Sequence, residues 1–425
     1  MKRPTRSLRR ITANRRPSIR IRKRKATRSR SGQAEPPVPR TAPVVLAGTC
    51  AFLNLYSTQP ILPLLENLFH ATHVQVSLTI TAATFGVAIA APFAGRVADL
   101  FGRKRIIVWS AALLALTSLA ASTATSLNWL IAWRLLQGLV TPGVFAVTIA
   151  YVNDEWPVGR AASAVGAYVS GTIIGGFSGR IASGFIAEYF GWRWIFIILG
   201  AVVAAITLVL AWGLPPEKRF HRDANKSDLI ATAIGHLRNP RLLAAYCSGF
   251  CVLGTQVALF TYVTFYLAGA PFLLSPGALG AIFCVYLVGA AITPFAGRAI
   301  DRYGHRVAVL FASALGASGA LVALIPQVPI ILIGLTLCSC GVFIANSAST
   351  SFIGTVAGKS RALAVGLYVT FYYAGASAGS TGPAWIWHVY GWPGCVALIV
   401  CVQAALACIA WFALPTAQLR VTPLR

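Results

Sequence analysis

Acidic side chains are scarce in this chain: ten Asp and Glu stand against 36 Lys and Arg. Charged residues of both signs make up only 11% of 425 positions, less than half the roughly 25% typical of soluble domains. With 57% hydrophobic residues and a mean hydropathy of +0.71, the polar surface is too small to cover a water-soluble globule, and lipid is the alternative solvent. Catalytic and metal-binding patterns are also missing. No His-Glu-x-x-His run occurs, and Gly354-Thr-Val-Ala-Gly358-Lys359-Ser360 is one residue short of a phosphate-binding loop. His70 and His73 are three apart with no third ligand beside them, so no metal and no cofactor is expected and an enzyme is disfavoured. Nine cysteines lie in apolar runs without a CxxC framework and read as small packing residues with no structural disulfide.

The basic excess is unevenly placed. Residues 1–40 carry 15 of the 36 Lys and Arg with one acid, Glu35. This stretch has no apolar run and is expected to be a disordered tail. It does not resemble a cleavable signal. Without aromatic residues to stack on bases it does not point to nucleic acid; contact with anionic lipid, together with a topological role, is the expectation.

The rest of the chain is organised by length. A membrane-spanning helix needs about 20 mostly apolar residues. Runs of that kind fall near 42–65, 75–95, 105–124, 127–149, 162–187 and 193–214, then near 242–268, 276–296, 306–325, 328–352, 362–388 and 393–414. The predicted fold is therefore all-α and membrane-embedded, with twelve spans in two bundles of six. A first bundle covers 41–214, a polar linker 215–240, a second bundle 241–415, and a short tail 416–425. With both termini in the cytoplasm, 33 of the 36 basic residues fall on the cytoplasmic side, as the positive-inside rule requires.

An internal duplication supports the two bundles. PFAGRVADLFGRKR at 92–105 returns as PFAGRAIDRYGHRV at 294–307, an offset of 202. Gly166, Tyr168, Val169, Gly175, Gly179, Gly191 and Trp192 return at an offset of 200 as Gly366, Tyr368, Val369, Gly375, Gly379, Gly391 and Trp392. Repeats of six spans run parallel, related by an axis along the membrane normal, which puts a binding site between them near the midplane.

The loop Gly95, Asp99, Gly102, Arg103, Lys104 and Arg105, with its degenerate copy Gly297, Asp301, Gly304 and Arg306, resembles the signature of the major facilitator superfamily. So does Arg134-Leu-Leu-Gln137-Gly138 in the fourth span. The resemblance covers 41–415 and is nearest to the drug/proton antiporter and arabinose-efflux-permease-like bacterial members. It implies a monomeric inner-membrane carrier that moves a small organic solute by alternating access, with export coupled to protons. It also implies that the loop latches the two halves, although its basic residues would set topology in any case. One departure from the antiporter pattern stands out. In Gly171-x-x-x-Gly175-Gly176-x-x-Gly179-Arg180, glycine replaces the expected proline and arginine the expected final glycine.

Two arginines, Arg134 and Arg180, fall inside spans, and no acid lies mid-span. An arginine at the centre of a membrane helix costs at least ~2.5–3.5 kcal/mol and normally faces the interior. Either could neutralise an anionic solute, which makes uptake of an organic anion a second reading. Alternatively, Arg134 pairs with Glu66 or a backbone carbonyl. Other candidates for solute binding or coupling are Asn54, Tyr56, Gln59 and Glu66 in and beyond the first span, Gln137, Gln256, Tyr262, Asn346, Tyr368 and Tyr372. A transporter-shaped receptor that binds without moving its solute is the reading from another class.

Overall fold

The computed structural model describes residues 41–157, 160–217, 229–357 and 361–414. The basic tail, the lipid contact expected of it, part of the linker, the end of the Gly354–Ser360 stretch and the C-terminal tail therefore lie outside the described residues. Among the described residues every regular element is helical. The first half comprises α1 (Ala42–Leu53), a 3-10 turn Gln59–Ile61, α2 (Leu62–Phe69), α3 (His73–Phe101), α4 (Arg103–Ser122), α5 (Leu127–Glu155), α6 (Ala161–Phe190) and α7 (Trp192–Gly213). The second comprises α8 (Leu229–Arg238), α9 (Pro240–Ala268), α10 (Pro276–Ala281), a 3-10 turn Ile282–Cys284, α11 (Val285–Val322), α12 (Val328–Val356), α13 (Arg361–Thr381) and α14 (Pro383–Ala413). The helix α8 lies within the stretch expected to be linker.

Local chemistry sets the helix starts. Thr72 and Gln75 form a reciprocal cap at the start of α3, and Ser126 and Ser275 accept amide hydrogens at the starts of α5 and α10. The polar and apolar surfaces are inverted relative to a soluble protein. Phe93, Trp109, Leu116, Trp212 and Phe412 are exposed, whereas Ser57, Thr58, Gln59, Thr79 and Arg134 are fully buried. An exterior of this kind is matched to hydrocarbon.

Eight helical stretches among the described residues are long and apolar enough to cross a membrane, fewer than the twelve expected. The shortfall has identifiable causes. The first expected span is broken: α1 has 12 residues and a turn stretch separates it from α2. The glycine-, serine- and threonine-rich α6 and α13 are not among the eight. The expected eighth and ninth spans count as one stretch, Pro276–Val322, because helical hydrogen bonding runs across a kink at Gly304. The expected eleventh ends early, at Thr381, and α14 continues through a second kink at Gly391.

The duplication is visible in the backbone. Gly102 and Gly304 share a positive φ, at 95° and 84°, as do Gly191 and Gly391, at 90° and 58°. Each turns the chain between antiparallel helices in a region that side chains with a Cβ avoid. The packing repeats too. A methyl group at Gly175 or Gly179 of α6 would run into the Thr49 and Leu53 carbonyls of α1; at Gly375 or Gly379 of α13 it would run into those of Phe250 and Gly254 of α9. Small residues let these backbones touch, as in membrane helix pairs generally.

The halves meet unevenly. At the end of the bundle away from the Gly102 and Gly304 turns, Gly184 of α6 packs on the backbone of Pro276 and Gly280 in α10. At the end nearer those turns, a methyl at Gly166 of α6 or Gly297 of α11 would meet nothing within 4 Å. The line between α3 and α13 is longer. It runs from Thr81 on Ser380 (2.5 Å) through Thr84 on Ser377 (2.8 Å) to Thr370 donating to the Ala88 carbonyl (3.0 Å).

Replacing Gly179 by Ala is expected to lower thermal stability in detergent, by about 1–3 kcal/mol for an overpacked contact. Gly166→Ala should leave the melting temperature within error of the parent, and equal losses in both variants would sink the close-contact account.

Candidate functional site

The site is built on a break in the first span. Pro60 and Pro63 have no amide hydrogen, so a continuous helix cannot be completed through them. Gln59 turns its N–H to the Tyr56 carbonyl instead of to Leu55, which leaves the Leu55 carbonyl without its helical partner. Hydrocarbon cannot supply one. Arg134, fully buried on α5, does. Its Nη2 donates to the Leu55 carbonyl, its Nη1 to the Asn54 carbonyl at 2.7 Å and to Gln137 Oε1 at 2.6 Å, and its Nε to the Thr79 carbonyl at 3.1 Å. Ser118 donates to Asn54 Oδ1 at 3.2 Å. Arg134, Asn54 and Gln137 thus form one cluster, in which the guanidinium holds α1, α3 and α5 around the break. Of the two pairings open for Arg134, it makes the one with backbone carbonyls.

Arg180 on α6 is placed differently. It is also buried, 6% exposed, but faces the second half. Its Nε donates to Gln59 Oε1 at 2.9 Å and its Nη1 to the Gly176 carbonyl at 2.5 Å. Gln59 in turn donates to Thr261 Oγ1 of α9 at 3.1 Å. The guanidinium carbon lies 4.2 Å from the centre of the Tyr56 ring, 5.0 Å from Tyr286 and 5.2 Å from Phe283, within cation–π range. Among the described residues Arg180 has no carboxylate partner, and its Nη2 makes no hydrogen bond to a described residue. The Tyr56 hydroxyl is buried without a partner. The Tyr286 hydroxyl faces Gln256.

The remaining candidates spread out from this point. Tyr372 stacks on Tyr368 and meets Tyr373 edge-on, each at 5.6 Å, and the Tyr368 hydroxyl donates to Asn346 Oδ1 at 2.8 Å. Tyr373 also lies close enough to interact with Arg180 and Tyr56, so a line of tyrosines on α13 leads to the buried cation. Tyr262 instead ties α9 to α13 through the Ser380 carbonyl at 3.0 Å. Glu66 is elsewhere: its Oε1 is 3.2 Å from His73 Nδ1 at the bundle end away from the glycine turns. There His73 packs on Phe265 and Trp387 of the second half, ring centres 4.6 and 5.7 Å away. Burial raises the Glu66 carboxyl above its ordinary value.

The signature loop forms a charge network within the first half. Arg103 binds Asp154 of α5, donates to the Ala150 carbonyl at 3.0 Å and lies 3.3 Å from Asp99. The Lys104 amide donates to Glu217 Oε1 at 2.6 Å, and its Nζ to the Leu214 carbonyl at 2.5 Å. In the second copy His305 stands in place of Arg103 and Gly354 in place of Asp154. His305 bonds Ser351 at 3.2 Å, while Arg306 lies over the Trp411 ring at 4.8 Å.

Several working residues escape sequence reasoning. Glu188 stands in the sequence as an acid at the outer end of its span and, with Glu66 and Asp99, as a candidate proton carrier, but its partners do not: it accepts from the Gly277 amide and the Ser275 hydroxyl, both at 2.7 Å, across the halves. Asp154, Glu217, Phe283 and Tyr286 carried no motif, and only the fold brings them to Arg103, Lys104 and Arg180.

A sequence profile of the Major Facilitator Superfamily matches residues 44–285 and 268–424. The chain belongs to the major facilitator superfamily. It is 32% identical over 354 residues to the uncharacterized MFS-type transporter YybF of Bacillus subtilis (strain 168), covering 83% of this chain and 88% of that protein. It is 33% identical over 355 residues to the inner membrane transport protein YnfM of Escherichia coli (strain K12), covering 83% and 85%. Among solved structures it resembles a bacterial homologue of the human lysosomal transporter Spinster in an inward-facing, unoccupied conformation, with TM-score 0.71, 16% identity, and 88% and 96% of the two chains covered. It also resembles a variant of the nucleoside transporter NupG, with TM-score 0.69, 15% identity, and 87% and 98% covered. The relatives are transporters, and this chain is a multi-pass membrane transporter of the superfamily and not an enzyme.

The two arginines should separate in a stability measurement. Arg134→Met leaves the buried Leu55 carbonyl and Gln137 Oε1 without a partner, each costing about 1–3 kcal/mol, and should lower the melting temperature sharply or prevent folding. Arg180→Met removes a buried charge that has no counter-ion, so stability should hold or rise. The reverse order would overturn these assignments.

Proposed function

We propose that the chain is a secondary carrier of the inner membrane that exports a small organic solute by alternating access, coupled to protons. The Arg180 site between the halves is taken as the solute site and the end with the Gly102 and Gly304 turns as cytoplasmic. The observation that carries this reading is the uneven meeting of the halves around Arg180. The end away from the turns is closed by Gly184 on α10 and by Glu188 on Gly277, while α6 and α11 are free of contact at Gly166 and Gly297. Arg180 and Glu188 sit two turns apart on α6, and both reach across to the second half. Rocking that pulls α6 from α10 and α11 would disassemble the site and open it to the far side. The basic residues at the turn end support its cytoplasmic placement through the positive-inside rule, and with it cytoplasmic termini. In this reading Asp99 and Arg103 form the latch that re-forms against the second half when the cytoplasmic end closes.

The unpartnered cation favours a second reading, uptake of an organic anion driven by the same protons. A receptor that binds its solute without moving it is the remaining alternative.

Purified protein in liposomes with an internal pH dye, given a pH gradient and a panel of organic anions, sugars and lipophilic cations, tests the carrier. Solute-triggered proton flux in the wild type is expected, reduced at least about tenfold in Asp99→Asn with solute binding retained, since a latch residue acts on turnover. Proton coupling is abandoned if Glu66→Gln, Asp99→Asn and Glu188→Gln all keep pH-driven transport.

Glu66 gives the pH dependence a sign. Its carboxyl is raised by burial in this closed end, so the closed form holds the proton more tightly than an opened form would. Through Glu66, low pH therefore favours closure, and raising the pH through the raised value favours opening; His73 beside it, lowered by burial in the same end, acts in the opposite sense. Hydrogen exchange at α2 and α10, corrected for the intrinsic pH effect, should rise with pH in the wild type and lose that component in Glu66→Gln.

A further inference from the structure

Arg180 is a cation with its charge unspent. Of its five N–H groups, one is taken by Gln59 and one by the Gly176 carbonyl, leaving three without a partner among the described residues. Such a group in a low-dielectric interior is strongly destabilising unless an anion completes it. The site restricts which anion that is. The charged and hydroxyl groups acting on Arg180 are tyrosines (Tyr286, Tyr56 and Tyr373), with no carboxylate among them. Among the described residues the other cation near Tyr56 is Arg134, whose donors are directed to the backbone carbonyls of the break and to Gln137. Arg180 is therefore the cation with donors left to offer a solute, and the second carboxylate of a dianion would find no such donors of its own. The unused N–H groups include both ends of the guanidinium fork, whose planar pair of donors matches the two oxygens of a carboxylate. Three aromatic rings, those of Tyr56, Phe283 and Tyr286, stand around the guanidinium, and such surfaces suit a flat apolar body. The buried, unpartnered Tyr56 hydroxyl adds one donor beside the fork.

We propose that the Arg180 site recognises a compact monocarboxylate with a flat, apolar body, the carboxylate on the free edge of the guanidinium and the body between the rings of Tyr56, Phe283 and Tyr286. This inference rests on the site assignment above and deepens it by naming the solute class. The charge is supplied by the first half only, because Ser380 occupies the position in α13 that matches Arg180 and is bonded to Thr81. Arg180 is therefore the determinant of head-group selection, while the 3-10 turn Ile282–Cys284 and α11 of the second half supply, through Phe283 and Tyr286, the wall that leaves when the far end opens.

The test uses the full chain in detergent and reads the ligand concentration that gives half the maximal rise in melting temperature. Benzoate is the probe, with phthalate (a dianion), benzylamine (a cation) and benzyl alcohol (neutral) as its comparators. Benzoate should act at a concentration at least about tenfold below the other three. Arg180→Met should abolish the response, and Arg180→Lys, which keeps the charge but loses the fork, should weaken it by about tenfold. Tyr56→Phe should weaken it several-fold while keeping the order of ligands. Equal responses to benzoate and benzylamine, tighter binding of phthalate, or an unchanged benzoate response in Arg180→Met would overturn the proposal. Flux of labelled benzoate in liposomes, measured in parallel, separates the two levels. Binding without flux keeps the recognition and defeats the carrier reading; flux of other solutes with no benzoate binding defeats the recognition and keeps the carrier.

Discussion

Hydrocarbon offers no hydrogen-bond partners, and the structure depends on how this chain satisfies its own backbone where a helix stops. The break between α1 and α2 is the critical place. Two prolines remove donors, the chain turns through Asn54–Ile61, and the carbonyls left over are gathered by the guanidinium of Arg134. Once that arginine is directed to the backbone, it anchors the first span to α3 and α5. The break then points Tyr56 and Gln59 toward α6. The surroundings of Arg180 are a consequence of this repair, since the residues that face it from the first span stand in the segment that Arg134 holds.

Close backbone contact is the second organising feature, and it differs by location. Within each half, glycines on α6 and α13 let those helices lie against α1 and α9 at van der Waals distance. These backbone contacts are repeated in both halves, as expected of rigid units. Between the halves, besides the backbone contact of Gly184 with Pro276 and Gly280, the contacts include hydroxyl pairs, such as Thr81 with Ser380 and Thr84 with Ser377, and single polar links, such as Gln59 with Thr261 and Glu188 with Gly277. Isolated polar links of this kind can be exchanged for others at small net cost, which suits an interface that must come apart.

The duplication preserved geometry and let chemistry diverge. Gly102 and Gly304 turn the chain alike. Around the first, however, Arg103 and Asp154 form an ion pair, whereas His305 and Gly354 occupy the matching places in the second. Arg180 faces Gln59 and the rings of Tyr56, Phe283 and Tyr286, and its counterpart Ser380 is used in the contact with α3. The buried charge is therefore concentrated in the first half, while the second supplies aromatic faces and amides.

The amino-acid order by itself determined the class of structure. Apolar runs of spanning length, the repeat at offsets of 200 and 202, and the signature loop are local or periodic features, and helices form within one segment without help from distant residues. The superfamily was legible for that reason, as was the interior position of both arginines, because hydrocarbon excludes charge wherever the chain goes. What those arginines do was decided by tertiary structure alone. Each lies within reach of many groups by sequence, and only the packing of α1, α5 and α6 turned Arg134 to a broken backbone and Arg180 to an interface. The same holds for Glu188, Asp154, Glu217, Phe283 and Tyr286, whose partners are remote in sequence. The span pattern was also less regular than the apolar runs suggested. Prolines and positive-φ glycines break or join helices according to which carbonyls their neighbours can satisfy, and that information lies in contacts between helices.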